Sequence, residues 1–231
     1  MVFGGFQKNS LIDYPGKISC VLFLSGCNFD CPYCHNPNLA KGSSNPCLSD
    51  TEGFYDFLED RKAFLDGVVI SGGEPTLEND LFSLCSRIKE MGYPVKLDTN
   101  GSRPRVLKRL LDEDLVDYIA MDIKTDPFLY APLVKGDYQP EDTLGSIEVI
   151  MGSDLPYEFR TTCVKPIVGR ETIKNIARII QGARLYALQC FHETEVLHPE
   201  FFQDIDPRYD DDEMMDLKAI ADPWVEGCLV R

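Results

Sequence analysis

Three cysteines in one short stretch, SGCNFDCPYCHNP, constrain this chain more than any other feature of its sequence. Cys27, Cys31 and Cys34 form the pattern C-x-x-x-C-x-x-C directly after a predicted strand, with Gly26 at the turn. A [4Fe–4S] cluster that only carries electrons takes four protein ligands. Three thiolates leave one iron open to a small molecule. The spacing therefore predicts a [4Fe–4S] cluster on these cysteines, with chemistry at the open iron.

Zinc and simple burial of the thiols are the competing explanations of this loop. Zinc could take the three cysteines together with His35 as a Cys₃His site. However, His35 is adjacent to Cys34, and the chain has no second C-x-x-C pair. The clustering and the odd total of nine cysteines favour metal over disulfides in a reducing compartment. The cysteines outside the loop are expected to be small buried hydrophobic residues: Cys20, Cys47, Cys85, Cys163, Cys190 and Cys228.

The net charge of the chain limits the classes of partner that it can bind. Its 231 residues include 38 acidic and 23 basic side chains, and the formal net charge is −15. Such a surface repels phosphate backbones, so we expect no sequence-independent binding to nucleic acid.

We find neither an apolar stretch long enough to cross a membrane nor a secretory leader, and we expect a cytoplasmic protein. The acidic run DDDE at 210–213 predicts the solvated start of a helix.

Apolar, β-branched runs alternate with amphipathic segments along most of the chain. The predicted strands cover 18–24, 67–71, 94–99, 117–123, 156–163 and 184–191, and the predicted helices cover 49–65, 78–91, 103–113, 142–151 and 170–181. Ser49 followed by Glu52 predicts a capping box for the first helix. These β–α steps predict an α/β domain with a parallel sheet. Residues 193–215 have weak periodicity and are expected to form a loop or a variable segment.

Glycine or polar residues follow every predicted strand, and parallel α/β folds bind ligands at that edge of the sheet. Asp98 and Asn100 share one face of their strand, as do Asp122 and Lys124 on the next. A carboxylate and an ammonium on one face can pair with the charged groups of an amino acid. The other strand-end groups are Gly72, Gly73 and Glu74, Arg160 and Thr162, and Gln189 with His192.

The cysteine loop with Tyr33 before its last cysteine resembles that of the radical S-adenosylmethionine (SAM) superfamily. The continuation CHNP resembles the glycyl-radical-enzyme activating enzymes. The longer segment SLIDYPGKISCVLFLSGCNFDCPYCHNPNL is similar to anaerobic ribonucleoside-triphosphate reductase activating proteins and pyruvate formate-lyase activating enzymes. The resemblance continues through SGGEP at 71–75, LDTNG at 97–101, MDIK at 121–124 and HE at 192–193.

The resemblance implies a partial (β/α)₆ barrel, with the cluster on Cys27, Cys31 and Cys34. SAM would chelate the open iron, and its cleavage would give methionine and a 5′-deoxyadenosyl radical that acts on a glycine of a partner enzyme. The resemblance places the SAM contacts at Tyr33, His35, Gly72, Gly73, Glu74, Asp98, Asn100, Asp122, Lys124 and His192. It also implies a monovalent cation near the strand-end carboxylates, and Asp13 near the partner.

Three further expectations complete this picture. Residues 35–70 hold one cysteine, Cys47, so we expect no auxiliary cluster and an outside electron donor, a flavodoxin or ferredoxin. We expect a single domain over 1–231, with a core of about 15–195 and a C-terminal extension of about 196–231.

A radical SAM enzyme acting on a small molecule, similar to the deazaguanine synthases, is the alternative function. The next alternative is a non-catalytic iron–sulfur or zinc module. His198 has no predicted role.

Overall fold

The strands of this protein form one open sheet whose spatial order follows the chain. The computed structural model describes residues 3–42, 51–192 and 195–231. The strands are β1 (Phe3–Ser10), β2 (Ser19–Leu24), β3 (Gly67–Gly72), β4 (Val95–Thr99), β5 (Tyr118–Asp122), β6 (Tyr157–Cys163), β7 (Tyr186–Cys190) and β8 (Cys228–Val230). Strands β2 to β8 are parallel, and β1 pairs antiparallel with β2. Within the described ranges β1 and β8 do not pair, so the barrel is partial, as predicted.

Helices lie between the strands, and five of them are where amphipathic segments predict them. They are α1 (Pro37–Ala40), α2 (Thr51–Asp60), α3 (Leu81–Glu90), α4 (Pro104–Asp112), α5 (Pro140–Met151), α6 (Arg170–Ile179) and α7 (Asp211–Ala221). The five longer helices before α7 confirm the predicted ones. The predicted capping box at Ser49 lies outside the described residues. No described helix has the length and apolar character needed to cross a membrane.

The C-terminal segment is more ordered than its weak periodicity predicts. Helix α7 begins with a capping box in which Asp210 and Glu213 bond each other's backbone amides, which confirms the predicted helix start. Met214 and Leu217 are buried against the main core. Helix α7 leads into β8, which adds a strand beside β7. Neither β8 nor the antiparallel β1 was among the predicted strands.

The two faces of the sheet have different cores. Most buried apolar side chains lie between the sheet and the helices, and they include Cys20, Cys85 and Cys163 as expected. The cysteines of β7 and β8 are only partly buried, and Cys47 lies outside the described residues. The inner face holds a small apolar cluster of Tyr14, Val21, Val69, Tyr118 and Ala120. Tyr14 contacts the start of β3 at Gly67, so this cluster closes the amino-terminal end and leaves the other end polar.

Candidate active site

One cavity of about 610 Å³ lies inside the partial barrel and reaches the carboxyl ends of the strands. All three cysteines of the loop line it. Of the predicted SAM contacts, Tyr33, His35, Gly72, Gly73, Asp98, Asn100, Asp122, Lys124 and His192 also line it. The fold therefore brings together residues that are far apart in the sequence. Asp13, Arg160 and Thr162 also line this cavity, whereas Glu74 is not among its lining residues.

Backbone hydrogen bonds hold the cysteine loop from two sides. On one side the amide of Asp30 donates to the carbonyl of Leu133 at 2.7 Å, and Phe29 forms an isolated bridge with Val134. On the other side the amide of His198 donates to the carbonyl of Pro32 at 3.1 Å. The loop is thus fixed by the connection after β5 and by the chain after β7. Neither contact follows from the local pattern of the loop.

The chemistry of the thiols fits an iron–sulfur cluster. Burial raises the pKa of Cys27 to about 11 and that of Cys31 to about 12, so a lone thiolate is costly there. Bound iron would supply the positive charge that makes ionisation favourable. The amide of Phe29 donates to Sγ of Cys27 at 3.3 Å, a type of contact that tunes cluster sulfurs. In the described part of the chain, no three His, Cys, Asp or Glu side chains are grouped closely enough to hold a single metal ion.

The side chains of Tyr33 and His35 connect the cysteine loop to two other strands. The buried hydroxyl of Tyr33 donates to the carbonyl of Lys124 at 3.3 Å. The ring of His35 stacks on Phe191 with centroids 5.2 Å apart, and its Nε2 lies 3.1 Å from the carbonyl oxygen of His192. Burial lowers the pKa of His35. The imidazole is therefore neutral at pH 7, and the His35 ring, held against Phe191, lines the cavity. The side chain of His192 is exposed.

The glycines after β3 allow the backbone to pass very close to the cysteine loop. Gly72 has φ of +123°, and a Cβ there would lie 2.2 Å from the carbonyl oxygen of Leu24. A Cβ on Gly73 would lie 1.9 Å from the carbonyl oxygen of Gly26. The amide of Glu74 in turn donates to that Gly26 oxygen at 2.8 Å. Glycine is required here because any side chain would separate β3 from the strand that carries the cysteines.

The carboxylate of Glu74 is buried beneath the cavity. It accepts from the amide of Asn100 at 2.6 Å, from the hydroxyl of Thr99 at 2.8 Å and from the amide of Thr76 at 3.0 Å. These bonds tie the end of β3 to the end of β4. Asn100 then donates from Nδ2 to the side-chain oxygen of Asn28 at 3.0 Å, and it lies 3.9 Å from Sγ of Cys27. Glu74 therefore braces residues that face the cavity, and a direct contact with SAM stays a prediction.

The charged wall of the cavity is a network of alternating charges at β4, β5 and β6. Nε of Arg160 donates to Oδ1 of Asp122 at 2.7 Å, and its Nη1 lies 3.5 Å from Oδ1 of Asp98. Lys124 donates to Oδ2 of Asp122 at 2.9 Å. Lys96 pairs with Asp98. Each carboxylate therefore has two cationic partners.

These pairs keep the network ionised. Burial by itself would raise the pKa of Asp98 and Asp122, but Arg160 and the neighbouring lysines outweigh it, so both carboxyls have a pKa below the ordinary value. Burial would likewise lower the pKa of Lys124, and Asp122 raises it above the ordinary value. At neutral pH the wall thus presents both signs of charge to a ligand.

Sequence reasoning missed three members of this network. Lys96 and Glu158 lie two residues before Asp98 and Arg160 on the same strand faces, so the period-two pattern already contained them. Arg231 follows β8, a strand too short to predict, and its guanidinium bonds the buried carboxylate of Glu158. His198, which had no predicted role, lies outside the cavity lining and bonds Asp30 and Glu200.

Comparison with known proteins identifies relatives across most of the chain. Residues 21–181 match the family described as the Radical SAM superfamily. A Methanocaldococcus jannaschii protein, which its curated name assigns provisionally to the glycyl-radical enzyme activating enzymes, is 36% identical over 98% of this chain and 94% of its own length. The pyruvate formate-lyase-activating enzyme of Clostridium pasteurianum is 30% identical over 80% of this chain and 79% of its own.

One further relative has a different named activity, and one solved structure has a similar fold. A Halobacterium salinarum protein, named provisionally as a GTP 3′,8-cyclase, is 30% identical over 80% of this chain and 53% of its own. The crystal structure of Streptococcus suis SuiB bound to S-adenosylmethionine has a TM-score of 0.67 at 15% identity, over 91% of this chain and 51% of that chain. At that identity the likeness concerns the fold. The family match covers most of the chain, one relative aligns with 94% of its own length, and the three cysteines line the cavity. We conclude that this chain belongs to the radical SAM superfamily.

Proposed function

We propose that this chain cleaves SAM reductively and generates a glycyl radical on a partner enzyme. The observation that carries the proposal is that the three loop thiols and the charged wall of β4, β5 and β6 line one cavity. Family membership implies a [4Fe–4S] cluster and SAM. The cluster, when bound on Cys27, Cys31 and Cys34, supplies the electron that splits SAM into methionine and a 5′-deoxyadenosyl radical.

The charged wall suits the amino-acid end of SAM. Lys124 can donate to a carboxylate, and the carboxylates of Asp98 and Asp122 can accept from an ammonium. Gly72 and Gly73 line the same cavity, and we propose that their backbone carbonyls add acceptors for the ammonium. The stacked pair of His35 and Phe191 suits the flat adenine ring. We assign Asn100, Tyr33 and His192 to the same site.

The partner assignment rests on the names of the relatives that align with most of this chain. A glycine of a partner must reach the cavity, and Asp13 and Thr162 are among the residues that line it. We propose that these two residues face the partner. The electron comes from a flavodoxin or ferredoxin, since residues 35–70 hold a single cysteine. We further propose that 196–231 acts as part of one domain, because α7 packs on the main core.

A radical SAM enzyme acting on a small molecule is the second candidate. The Halobacterium salinarum relative named for GTP cyclisation favours it, because that protein aligns with 80% of this chain. Its name implies a nucleotide substrate. The two candidates differ in whether radical production leaves an unpaired electron on a protein.

An anaerobic reconstitution tests the proposal. The protein is loaded with iron and sulfide, reduced with dithionite and given SAM, and 5′-deoxyadenosine is measured by mass spectrometry. We expect 5′-deoxyadenosine from the loaded protein and none from protein treated without iron. A loaded, reducible cluster that yields none, even with candidate partners present, would contradict SAM cleavage.

The partner is then tested by electron paramagnetic resonance. Anaerobic ribonucleotide reductase and pyruvate formate-lyase type enzymes from the same organism are each mixed with the active protein. We expect the doublet signal of a glycyl radical with one of them. Catalytic production of 5′-deoxyadenosine without such a signal, accompanied by conversion of GTP, would favour the small-molecule candidate.

A further inference from the structure

The guanidinium of Arg160 lies between the two strand-end carboxylates of the cavity. Its Nε donates to Asp122 at 2.7 Å, and its Nη1 is 3.5 Å from Asp98. Arg160 and Asp122 are register partners on β6 and β5, so neighbouring strands fix this contact. Only 12% of the Arg160 side chain is exposed. The space between the carboxylates is therefore occupied by a cation that belongs to the chain.

Each carboxylate also has a second cationic partner. Lys124 bonds Oδ2 of Asp122 at 2.9 Å, and Lys96 pairs with Oδ1 of Asp98, the same oxygen that Arg160 approaches. A potassium or sodium ion bridging Asp98 and Asp122 would have to displace a buried guanidinium. Replacing one cation by another gains little attraction, and it leaves the displaced guanidinium without its partners. These residues do not fit the monovalent cation that the resemblance implies.

The charges of the network lead to the same conclusion. Four cationic side chains face three carboxylates in one connected set: Lys96, Lys124, Arg160 and Arg231 with Asp98, Asp122 and Glu158. The four positive and three negative charges sum to +1, so the network has an excess of positive charge before any ion binds. A bound metal ion would leave an excess positive charge beside the sulfonium of SAM. Asp13 lies outside this set and accepts from Ser10.

We propose that Arg160 is the built-in counterion of Asp98 and Asp122, so that SAM binding needs no potassium or sodium ion. This inference rests on the proposed use of the cavity for SAM. Arg160 acts as a positioning residue that holds the two carboxylates at a fixed separation. Lys124 is then free to meet the ligand carboxylate.

The first experiment compares SAM affinity in different salts. The anaerobically loaded protein is titrated with SAM in potassium chloride, sodium chloride or choline chloride at one ionic strength. Choline is too large to bridge the carboxylates, so its salt is the reference without a bridging ion. We expect the same Kd in all three salts, because Arg160 already supplies the counterion. SAM binding that requires potassium or sodium would overturn the proposal. Absence of SAM binding in every salt would contradict the proposed function instead.

The second experiment removes the guanidinium with Arg160→Gln. We expect SAM affinity in choline chloride to fall by roughly tenfold, the loss of one charge-assisted contact, and potassium to restore part of it. Arg160→Lys keeps the charge and should stay insensitive to the salt. Arg109→Gln, at an exposed ion pair on α4, is the matched control and should behave as the parent protein. Unchanged SAM affinity of Arg160→Gln in all salts would overturn the proposal.

Thermal unfolding of the cluster-free protein gives a readout that does not depend on SAM or iron. The parent protein should have the same Tm in potassium chloride and choline chloride at matched ionic strength. Arg160→Gln should have a higher Tm in potassium chloride, because the ion then fills the gap between the carboxylates. A potassium-specific rise in Tm of the parent protein would overturn the proposal even if the variant fails to fold.

Discussion

Nε2 of His198 lies 3.1 Å from the carboxylate of Asp30, a residue between the first two cysteines of the loop. Nδ1 of the same ring lies 3.1 Å from Glu200. The backbone amide of His198 also bonds the carbonyl of Pro32, so both backbone and side chain of this residue hold the loop. The chain after β7 thus covers the side of the cysteine loop opposite the bridge at Phe29.

Replacing His198 with alanine is expected to loosen this cover and speed the loss of iron to a chelator. The rate of iron loss should rise by up to about fivefold, because a partly exposed ion pair of this kind contributes about 1 kcal/mol or less to stability. The rate is followed by the visible absorbance of the loaded protein. Glu200→Ala removes the other partner and keeps the Asp30 contact, so it is the control. Equal rates in the two variants would contradict a role for the Asp30 contact.

Cys31→Ala should abolish the intact cluster and SAM cleavage while the barrel still folds. Two thiolates of the loop cannot hold a cube that leaves only one iron open. Iron content, circular dichroism and 5′-deoxyadenosine production are measured together. Cys85→Ala, in the core behind the sheet, is the matched control, and it should cost stability but retain iron. Turnover by Cys31→Ala would remove the cluster assignment.

Lys124→Ala should weaken SAM binding and leave cluster loading unchanged. The ammonium of Lys124 bonds Asp122 and faces the cavity, whereas its backbone contacts with Tyr33 and Tyr130 survive the substitution. We expect the Kd for SAM to rise by roughly tenfold or more, the loss of one charge-assisted hydrogen bond. Lys108→Ala, at an exposed pair on α4, should change neither quantity. Loss of iron from Lys124→Ala would mean that the residue supports the loop instead.

Arg231 and Glu158 should show strong coupling in a double-mutant cycle. The carboxylate of Glu158 is 1% exposed, and Arg231→Gln leaves it buried without its nearest partner. We expect a loss of about 2 kcal/mol in the free energy of unfolding, less than for a fully buried pair because the arginine is 37% exposed. Adding Glu158→Gln should recover part of the loss, measured by urea unfolding. Additive effects of the two substitutions would contradict the coupling.

Stability should fall in acid partly through Asp98 and Asp122. Their pKa is held below the ordinary value in the folded protein, so their contribution is present above the unfolded pKa of about 3.9 and is lost as the pH falls below it. Arg160→Gln removes the main cationic partner of both carboxylates, so the free energy of unfolding should fall less in acid for the variant than for the parent protein. Urea unfolding from pH 7 to pH 3 measures it. Parallel curves for the parent and the variant would contradict the assignment.

The sequence determined the cysteine loop and the class of fold because both are local patterns. Three cysteines in eight residues, strands of β-branched residues and polar groups at strand ends are all visible without contacts. The six predicted strands are present as β2 to β7. Asp98, Asp122 and Lys124 could be placed at the cavity because side chains alternate along a strand.

The tertiary structure alone decided how these residues are paired and held. Strand β8 is three residues long, and nothing local predicts that its neighbour Arg231 would reach Glu158 across the sheet. The contact of His198 with Asp30 joins residues that are 168 positions apart. Arg160 could be predicted to face the cavity, but its place between two carboxylates depends on the register of three strands. Such pairings arise from packing over long sequence separations, which periodicity and spacing do not encode.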